Sequence, residues 1–402
     1  MTRALRDLWL RVIGNLFLTL GITLGALQAV VAVWAATVLF GAPGPGLWLG
    51  LVLAALLVYA NYRLLPVLRR ARHVPGWPRR AARLYMSAGL ATLLLGFAVL
   101  LSYVGFLPIR GLLSLVGVEP STSFAVFRFA SGLLVLGTLG FLLWGFTAGQ
   151  AQIERTHVRV ALPGLSEDLR GLRIVQISDL HIGNGLEGAR LDRVVERVNA
   201  HEPDVVALTG DLFDFDPRFV EDGARRLNAL RARHGVFAVL GNHDGYTGLE
   251  LVADALARLA PSVTVLRGHL VRLPTGSPLY VAGIDDPGTR FTARDLHIPE
   301  LEELAALRPA DGHSILLVHR PEAFVQAAKL GFPLVLAGHT HGGQLALPTR
   351  GGRHNLASLV TRYTRGLFAE HGSFLYVNRG IGVAGPAIRL NCAREIATIE
   401  LV

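Results

Sequence analysis

The sequence predicts two parts, an N-terminal all-α bundle of four transmembrane helices over residues 1–155 and an α/β domain over residues 156–402. The 402 residues are 51% hydrophobic and only 17% charged, with a mean hydropathy of +0.43, which is too apolar for an ordinary soluble protein. The longest apolar stretches and most of the excess positive charge lie in the first 150 residues. After about residue 156, short runs rich in Val, Ile and Leu alternate with charged amphipathic stretches, which indicates alternating strands and helices.

Four apolar stretches in the first part are each long enough to cross a bilayer, which takes roughly 20 residues. They cover residues 12–40, 47–68, 84–108 and 129–148. The first stretch follows basic residues, as a signal peptide does. Its apolar run is about twice as long as that of a signal peptide, and a second stretch follows at once. We therefore expect it to remain in the protein as a membrane span.

The charge distribution predicts the orientation of the bundle. Residues 1–150 contain 12 Arg and two acids, Asp7 and Glu119, whereas the remaining chain holds 27 basic and 28 acidic residues. Ten of the 12 arginines precede the first stretch or lie in segment 63–83, which runs from the end of the second stretch to the start of the third. The positive-inside rule therefore places the N-terminus, segment 63–83 and everything after residue 150 in the cytoplasm. Because the excess charge belongs to a membrane part, we expect no nucleic-acid partner.

Segment 63–83 is rich in arginine and has two interpretations. It is either a topology signal alone or a surface that binds anionic lipid headgroups, with Trp77 at the interface. Ion-coupled transport is disfavoured, because both acids of this part lie outside the apolar stretches. Cys392 is the only cysteine, which excludes an intrachain disulfide and a multi-thiolate zinc site.

In the second part, five strand-like runs each end in a polar motif. Ligands of open α/β sheets bind beyond the carboxyl ends of the strands. Residues two apart, such as Asp179 and His181, point to the same side and can share one ion. Imidazole combined with carboxylate and amide oxygens suits Mn, Fe or Zn better than Mg or Ca. The motifs are Asp179-Leu180-His181, Gly210-Asp211-Leu212-Phe213-Asp214, Gly241-Asn242-His243-Asp244, His319 and Gly338-His339-Thr340-His341-Gly342-Gly343.

The motifs differ in how specific they are. Asp-x-His is common by chance, and Gly-Asp after a strand often caps a helix. A single histidine such as His319 more often lies hydrogen-bonded in a core. Gly-His-Thr-His-Gly-Gly is the most specific of the five. A metal site is predicted because all five motifs occur at successive strand ends.

In this order the motifs resemble the calcineurin-like metallophosphoesterase family over about residues 156–402. The four apolar stretches add a similarity to its membrane-associated bacterial branch and to animal transmembrane proteins with a metallophosphoesterase domain. The resemblance implies a two-sheet α/β/β/α sandwich, two divalent ions and a bacterial inner or plasma membrane location. It assigns Asp179, His181 and His341 to one ion, Asn242, His319 and His339 to the other, Asp211 to both, and His243 to the leaving oxygen of the substrate.

The implied activity is hydrolysis of a phosphodiester or pyrophosphate bond by a hydroxide that bridges two cations. The apolar stretches and the arginine-rich segment favour a lipid-linked substrate, and the resemblance implies cleavage of a UDP-diacylglucosamine-type pyrophosphate as one candidate. One alternative is a phosphodiesterase for a soluble nucleotide or small diester, with the helices as an anchor. Another alternative is a membrane sensor without turnover. The presence of all seven expected metal ligands disfavours it.

Five further polar positions carry weaker expectations. Asp214 and Asp244 are expected to orient loops or the ligating histidines. Asp285 and Asp286 follow a strand-like run, where a structural turn is favoured over a catalytic role. Arg379 is compatible either with a phosphate contact or with a surface ion pair.

Overall fold

The computed structural model describes residues 3–38, 47–71, 77–288, 297–349 and 354–402. Its contacts divide the chain into two units, Met1–Trp144 and Gly145–Val402. The first strand of the second unit begins at Ile153. A functional domain boundary between residues 155 and 156 stays a prediction.

The described residues of the first unit form four helices, as the sequence predicts. They are α1 (Arg3–Val38), α2 (Leu47–Ala71), α3 (Trp77–Leu115) and α4 (Pro120–Trp144). Three stretches are long and apolar enough to cross a membrane, Gly21–Val38, Trp77–Leu115 and Pro120–Gly149. Within α2, Leu51–Val67 is a further apolar stretch. Among the described residues the predicted helical N-terminal part is therefore confirmed, with three stretches that have the length and apolarity of a membrane span, and the predicted number of four is approximate.

Side chains of α1, α3 and α4 pack into a common apolar cluster within this unit. The indole of Trp34 donates a hydrogen bond to the Ser131 hydroxyl at 3.1 Å, so its polar atom is satisfied away from water. The ring of Phe127 lies 4.7 Å from that of Phe106. Helix α3 continues through Pro108 to Leu115, beyond the apolar stretch that the sequence delimits. A proline removes one backbone hydrogen bond, which membrane helices tolerate where neighbouring groups compensate.

The arginine-rich segment 63–83 lies partly outside the described residues, since 72–76 are not among them. Trp77, the first residue of α3, is 78% exposed. Exposure of an aromatic ring next to arginines suits an interfacial position. Binding of anionic headgroups by this segment stays a prediction.

The second unit contains two six-stranded sheets. The strands of the first sheet, in spatial order, are β1 (Ile153–Val160), β12 (Arg394–Leu401), β2 (Arg173–Ile177), β3 (Val205–Thr209), β4 (Val236–Val239) and β5 (Val263–Val265). Those of the second sheet are β10 (Gly366–Glu370), β11 (Ser373–Val377), β9 (Leu334–Ala337), β8 (His313–Leu317), β7 (Leu279–Gly283) and β6 (His269–Arg272). The pairs from β2 to β5, and from β7 to β9 and β11, are all parallel.

Helices cover the outer face of each sheet, so the predicted α/β/β/α sandwich is confirmed. Helices α5 (Ala189–Asn199), α6 (Val220–Leu227) and α7 (Asn242–Leu259) pack on the first sheet. Helices α8 (Pro299–Ala306) and α9 (Phe324–Lys329) pack on the second. Successive strand side chains point to opposite faces. Ile174 accordingly lies in the core between the sheets, and Val175 lies under the helices.

Gln176 connects the two sheets directly below the site. Its buried side-chain amide donates to the Thr209 hydroxyl of β3 and to the Ala337 carbonyl oxygen of β9, both at 2.9 Å. A polar side chain fully inside the core is stable only when hydrogen-bonded. The bonds hold the ends of β3 and β9 near each other, which positions the loops that follow them.

Candidate metal centre

The five predicted motifs converge at the carboxyl ends of β2, β3, β4, β8 and β9. The structure brings the ligand atoms of six residues into two groups, and within each group these atoms lie within 4.8 Å of one another. The two groups are Asp179, His181 and His341, and Asp211, His319 and His339. The sequence resemblance assigns the first group to one ion, and it assigns His319 and His339 to the other ion, with Asn242 added and Asp211 shared.

An unusual backbone conformation aims these side chains. A left-handed φ is uncommon for residues other than glycine, and such strain concentrates at functional sites. Here the chain turns sharply after β2, β3 and β9, which brings these side chains together at the carboxyl ends of the strands. The left-handed residues are Asp179 (φ 51°), His181 (46°), Asp211 (53°), His339 (71°) and His341 (51°).

Two glycines of the motifs are required by close approach. A Cβ atom at Gly241 would overlap the carboxylate of Asp211. A Cβ atom at Gly338 would overlap the Ser178 hydroxyl and the carboxylate of Asp179. The glycines before Asn242 and His339 therefore let the loops of different strands meet around the carboxylates.

The first group has the spacing expected around a single ion. His181 Nε2 lies 3.0 Å from His341 Nε2, and His341 Nε2 lies 3.4 Å from Asp179 Oδ1. Two imidazole ligands of a tetrahedral ion stand about 3.3 Å apart, given metal–nitrogen bonds near 2.0 Å. Both carboxylate oxygens of Asp179 also accept the backbone N–H of His339 at 3.1 Å.

The second group repeats this arrangement and contacts the first. His319 Nε2 lies 3.1 Å from His339 Nδ1 and 3.2 Å from Asp211 Oδ2. Asp211 Oδ2 is also 3.7 Å from His181 Nε2. The Asp211 carboxylate therefore faces both groups, as a bridging ligand must.

Asn242 tests whether the donors fit a metal. It is the first residue of α7, and its Oδ1 is buried without a hydrogen-bond partner among the described residues. Such an unsatisfied oxygen costs about 1–3 kcal/mol unless another group binds it. Amide oxygens are divalent-metal ligands, so the orphaned atom fits a cation site.

Two of the histidines have their outer ring nitrogen fixed. His319 Nδ1 lies 2.9 Å from the Thr209 carbonyl oxygen, and His181 Nδ1 lies 3.3 Å from Asp214 Oδ1. Metal-binding histidines commonly bond a carbonyl or carboxylate in this way, which sets the tautomer and ring orientation. Nε2 of each ring is left pointing into its group.

His243 borders the groups but differs from their members. Its Nδ1 lies 2.7 Å from Asp214 Oδ1, and its backbone N–H donates to Asp211 Oδ1 at 2.7 Å. Its side chain is 17% exposed, whereas that of His181 is 1% exposed. By distance alone it forms a third group with His181 and Asp211. The bond to Asp214 leaves Nε2 of His243 for contact with a bound molecule.

The electrostatics show that the carboxylates need positive charge nearby. Burial disfavours the charged form of Asp211, but His319 and His181 hold its pKa well below the usual range. Burial lowers the pKa of His319, yet the carboxylates of Asp211 and Asp179 raise it to about 10. Burial and the charge of His319 hold the pKa of His339 well below its usual range. A divalent cation supplies the charge that a proton otherwise provides.

Asp214 and Asp244 orient their neighbours, as expected from the sequence. Burial opposes ionisation of Asp214, but hydrogen bonds from His181 and His243 lower its pKa to about 2. Asp244 accepts the backbone N–H groups of Leu212, Phe213 and Gly241 at 2.8–3.1 Å, which ties the β3 and β4 loops together. The carboxylates thus fix the histidines and the loop that carries Asp211.

The other weakly predicted residues form ion pairs. Asp285 accepts from Arg267 at 2.7 Å and Asp286 from Arg320 at 2.6 Å, in agreement with a structural role. Arg379 lies 3.0 Å from Glu395 and 2.8 Å from Glu154. Of the two roles open to it, the structure supports the ion pair.

Arg389 is a site neighbour that the sequence does not reveal. Its side chain is fully buried, donates to the carbonyl oxygens of Gly382 at 2.6 Å and Gly380 at 3.2 Å, and lies 3.4 Å from His341 Nδ1. Carbonyl oxygens thus hold it behind the His341 ring. Its position between Ile388 and Leu390 is the only sequence signal of burial.

Sequence comparisons agree with this geometry. The family model for calcineurin-like phosphoesterases matches residues 172–343, which include both ligand groups, Asn242 and His243. An uncharacterised metallophosphoesterase of Campylobacter jejuni is 31% identical over 301 residues, which cover 73% of this chain and 75% of that protein. One of Helicobacter pylori is 28% identical over 373 residues, covering 88% and 97% respectively. A Danio rerio transmembrane protein with metallophosphoesterase domain is 31% identical, covering 67% of this chain and 62% of that protein.

Proposed function

Because this chain belongs to the calcineurin-like metallophosphoesterase family and is a metal-dependent phosphoester hydrolase, we propose that it hydrolyses a lipid-linked phosphodiester or pyrophosphate, such as a UDP-diacylglucosamine-type compound. The observation that carries this proposal is that one chain combines the two ligand groups with three helices able to cross a membrane. One span suffices for an anchor. Several spans favour a substrate that itself resides in the membrane.

We assign two divalent ions to the centre. Asp179, His181 and His341 would hold one ion, Asn242, His319 and His339 the other, and Asp211 both. Nitrogen and oxygen donors without a thiolate favour Mn, Fe or Zn. Divalent ions bound there supply Lewis-acid polarisation of the phosphate and activation of water near neutral pH.

His243 is the proposed catalytic residue. The Asp214 carboxylate stays charged at neutral pH and holds Nδ1 of the ring, while Asp211 holds the His243 backbone N–H. The ring is thereby fixed with Nε2 available to the substrate. From there it can donate a proton to the leaving oxygen or stabilise its charge.

We place the catalytic unit on the cytoplasmic side of a bacterial inner or plasma membrane. The support is the distribution of the arginines, ten of which lie at the N-terminus or in segment 63–83. This side also carries the anionic surface potential that attracts basic segments. A lipid-linked substrate and anionic headgroups would then be available at the same surface.

A phosphodiesterase for soluble nucleotides is the second candidate, and an aromatic pair beside His243 fits its nucleobase as it fits that of a UDP-linked lipid. Tyr246 is 54% exposed and stacks on Phe215, with ring centroids 5.2 Å apart and an interplanar angle of 11°. Both rings also contact the His243 ring edge-on. Aromatic faces bind nucleobases by stacking, so the pair is suited to a nucleotide next to the reacting phosphate.

One experiment separates the two candidates. Full-length protein in detergent with Mn²⁺ is offered a lipid-linked nucleotide pyrophosphate and a generic aryl phosphodiester, with Asp211→Asn as the blank. A strong preference for the lipid substrate would support the first candidate. Hydrolysis of the aryl diester without hydrolysis of the lipid substrate would overturn the first candidate. The phosphodiesterase for soluble substrates would then remain.

A further inference from the structure

Helix α5 presents a row of arginines beside its buried face. Arg190, Arg193 and Arg197 are three and four residues apart, so they share one face of the helix and are exposed. The helix buries Leu191, Val194, Val195 and Val198 against the first sheet. The excess positive charge of the chain belongs to its first 150 residues, so a local excess in the catalytic unit is notable.

These arginines line a cavity of about 290 Å³. Its other walls are Arg394 at the start of β12, Ile153 at the start of β1, and Thr147, Gln150 and Ala151. No carboxylate lines it. Asp192 of the same helix is turned to Arg226 of α6 instead. The cavity shares no residue with the two ligand groups, and its size suits a small headgroup or ion.

Arg394 lacks a counter-charge within the described part of the chain. Its Nε is buried without a hydrogen-bond partner. Burial, together with the charges of Arg389 and Arg190, lowers its pKa to about 10. A guanidinium held among like charges is unfavourable unless an anion joins them.

The chain itself connects the cavity to the membrane part. Thr147 belongs to Pro120–Gly149, one of the stretches long and apolar enough to cross a membrane, and Gln150 and Ala151 follow directly. The residues after a membrane span emerge at the headgroup level. A cavity built on them lies within reach of lipid phosphates as well as of soluble ones.

We propose that this cavity binds the phosphate group of an anionic ligand, at a site separate from the metal centre. Arginine suits this role because its planar guanidinium donates two parallel hydrogen bonds to phosphate oxygens. A structural ion pair consists of one basic and one acidic residue, whereas this cavity is lined by four arginines and no acid. The phosphate comes either from a phosphomonoester lipid headgroup or from a soluble anion.

The test compares two double variants of the full-length, metal-loaded protein in detergent. Arg193→Ala/Arg197→Ala removes two arginines at exposed positions, where folding is least affected. Arg231→Ala/Arg272→Ala removes the same charge from exposed positions outside the cavity. Each protein is titrated with short-chain phosphatidic acid and, separately, with inorganic phosphate, and binding is followed by the shift of the unfolding temperature. Phosphate binding at the metal centre is common to all three proteins and cancels in the comparison.

We expect the cavity variant to lose affinity about tenfold or more for the preferred probe, while the control variant stays within about twofold of the wild type. Tighter binding of phosphatidic acid than of inorganic phosphate identifies a lipid headgroup as the source, and equal binding identifies a soluble anion. Equal affinities of the cavity variant and the wild type for both probes would overturn the proposal, as would absence of binding to the wild type. Hydrolytic activity is not the readout, so failure of the proposed substrate leaves this result unaffected.

Discussion

The two sheets contribute different chemistry to the same centre. The loops of the first sheet supply both carboxylates, Asp179 and Asp211, the amide of Asn242 and the imidazole of His181. The loops of the second sheet supply only imidazoles, those of His319, His339 and His341. Each proposed ion takes ligands from both sheets. The centre therefore forms only when the two sheets pack together.

The same contrast appears in how the ligands are held. Carboxylates of the first sheet accept backbone N–H groups from both sides, as when Asp179 binds the N–H of His339. The His341 ring of the second sheet is backed by Arg389, and the His319 ring by the Thr209 carbonyl. Acidic residues therefore tie the loops together, and the histidines rest on fixed polar groups. The following substitutions test this difference between the two sheets.

Asp211→Asn should have the largest effect, because this carboxylate faces the histidines of both sheets. We expect hydrolysis of an aryl phosphodiester to fall by about 10³-fold or more, since several kcal/mol of charge stabilisation is lost. Metal content, measured by mass spectrometry, should fall as well. Asp168→Asn, a change at an exposed aspartate bonded to Ser277, serves as the matched control and should keep full activity. Normal turnover by Asp211→Asn would show that the carboxylate is not shared.

His243→Ala should come next and should separate chemistry from metal binding. Turnover is expected to drop by about 10²-fold, the usual contribution of a general acid, while metal content stays near that of the wild type. His269→Ala, at an exposed histidine of the edge strand β6, should change neither quantity. Loss of both metals from His243→Ala would instead make this residue a structural part of the centre.

Asn242→Ala tests the amide that the first sheet is proposed to contribute to the ion held by His319 and His339. We expect the affinity for one of two ions to fall by about 10- to 100-fold, while the other ion is retained. Metal-to-protein ratios after dialysis against graded chelator would measure this. Asn228, at the end of α6, accepts the backbone N–H of Ser262. Asn228→Ala removes this amide and should leave both ratios unchanged. Equal ratios for Asn242→Ala and wild type would rule out the amide as a ligand.

Arg379→Ala should have the smallest effect on turnover, because it breaks a link between the sheets away from the chemistry. Arg379 follows β11 of the second sheet and binds Glu395 of β12 and Glu154 of β1 in the first. Removing it leaves Glu395 buried without its partner, which should lower the free energy of unfolding by about 3 kcal/mol. The rate per folded molecule should stay within about twofold of the wild-type rate.

This destabilisation should depend on pH in a defined direction. Burial raises the pKa of Glu395, but Arg379 and Thr156 lower it overall in the folded state. A depressed carboxyl pKa stabilises the fold above the unfolded-state value and ceases to do so as the pH falls through the folded-state value. Thermal unfolding from pH 7 down to pH 3 should therefore show the difference between the variant and wild type shrinking. A difference that grows towards low pH would contradict the ion pair.

The strands that precede the site residues and the apolar helices could be predicted, because both depend on short patterns in the sequence. The strands before Asp179, Asp211, Asn242, His319 and His339 are short apolar runs that end in polar residues, and the structure has a strand at each. The membrane helices follow from apolar length in the same way. Helix α2 continues through Asn61, Arg63 and Pro66, although these residues interrupt its apolar sequence.

Features that depend on distant contacts were not predictable. Strand β1 pairs with β12, more than two hundred residues away in the sequence, and neither carries a motif. Arg389 looks like a surface residue until the carbonyls of Gly380 and Gly382 surround it. Asp214 lies in a motif, but its simultaneous contact with His181 and His243 depends on how the loops pack. Register and burial of this kind come from tertiary packing rather than from neighbouring residues.

The left-handed backbone at five ligand positions has a consequence for laboratory evolution. Each such residue costs about 1 kcal/mol or more, and the sum is comparable to the whole stability of a typical domain. Glycine adopts this conformation without strain. Glycine at Asp179 or Asp211 would also remove a carboxylate that binds a backbone N–H of another loop, so a selection for heat resistance alone should recover glycine first at His181, His339 and His341, in proteins that have lost proposed metal ligands. Screens for durable variants of this enzyme must score turnover in the same round.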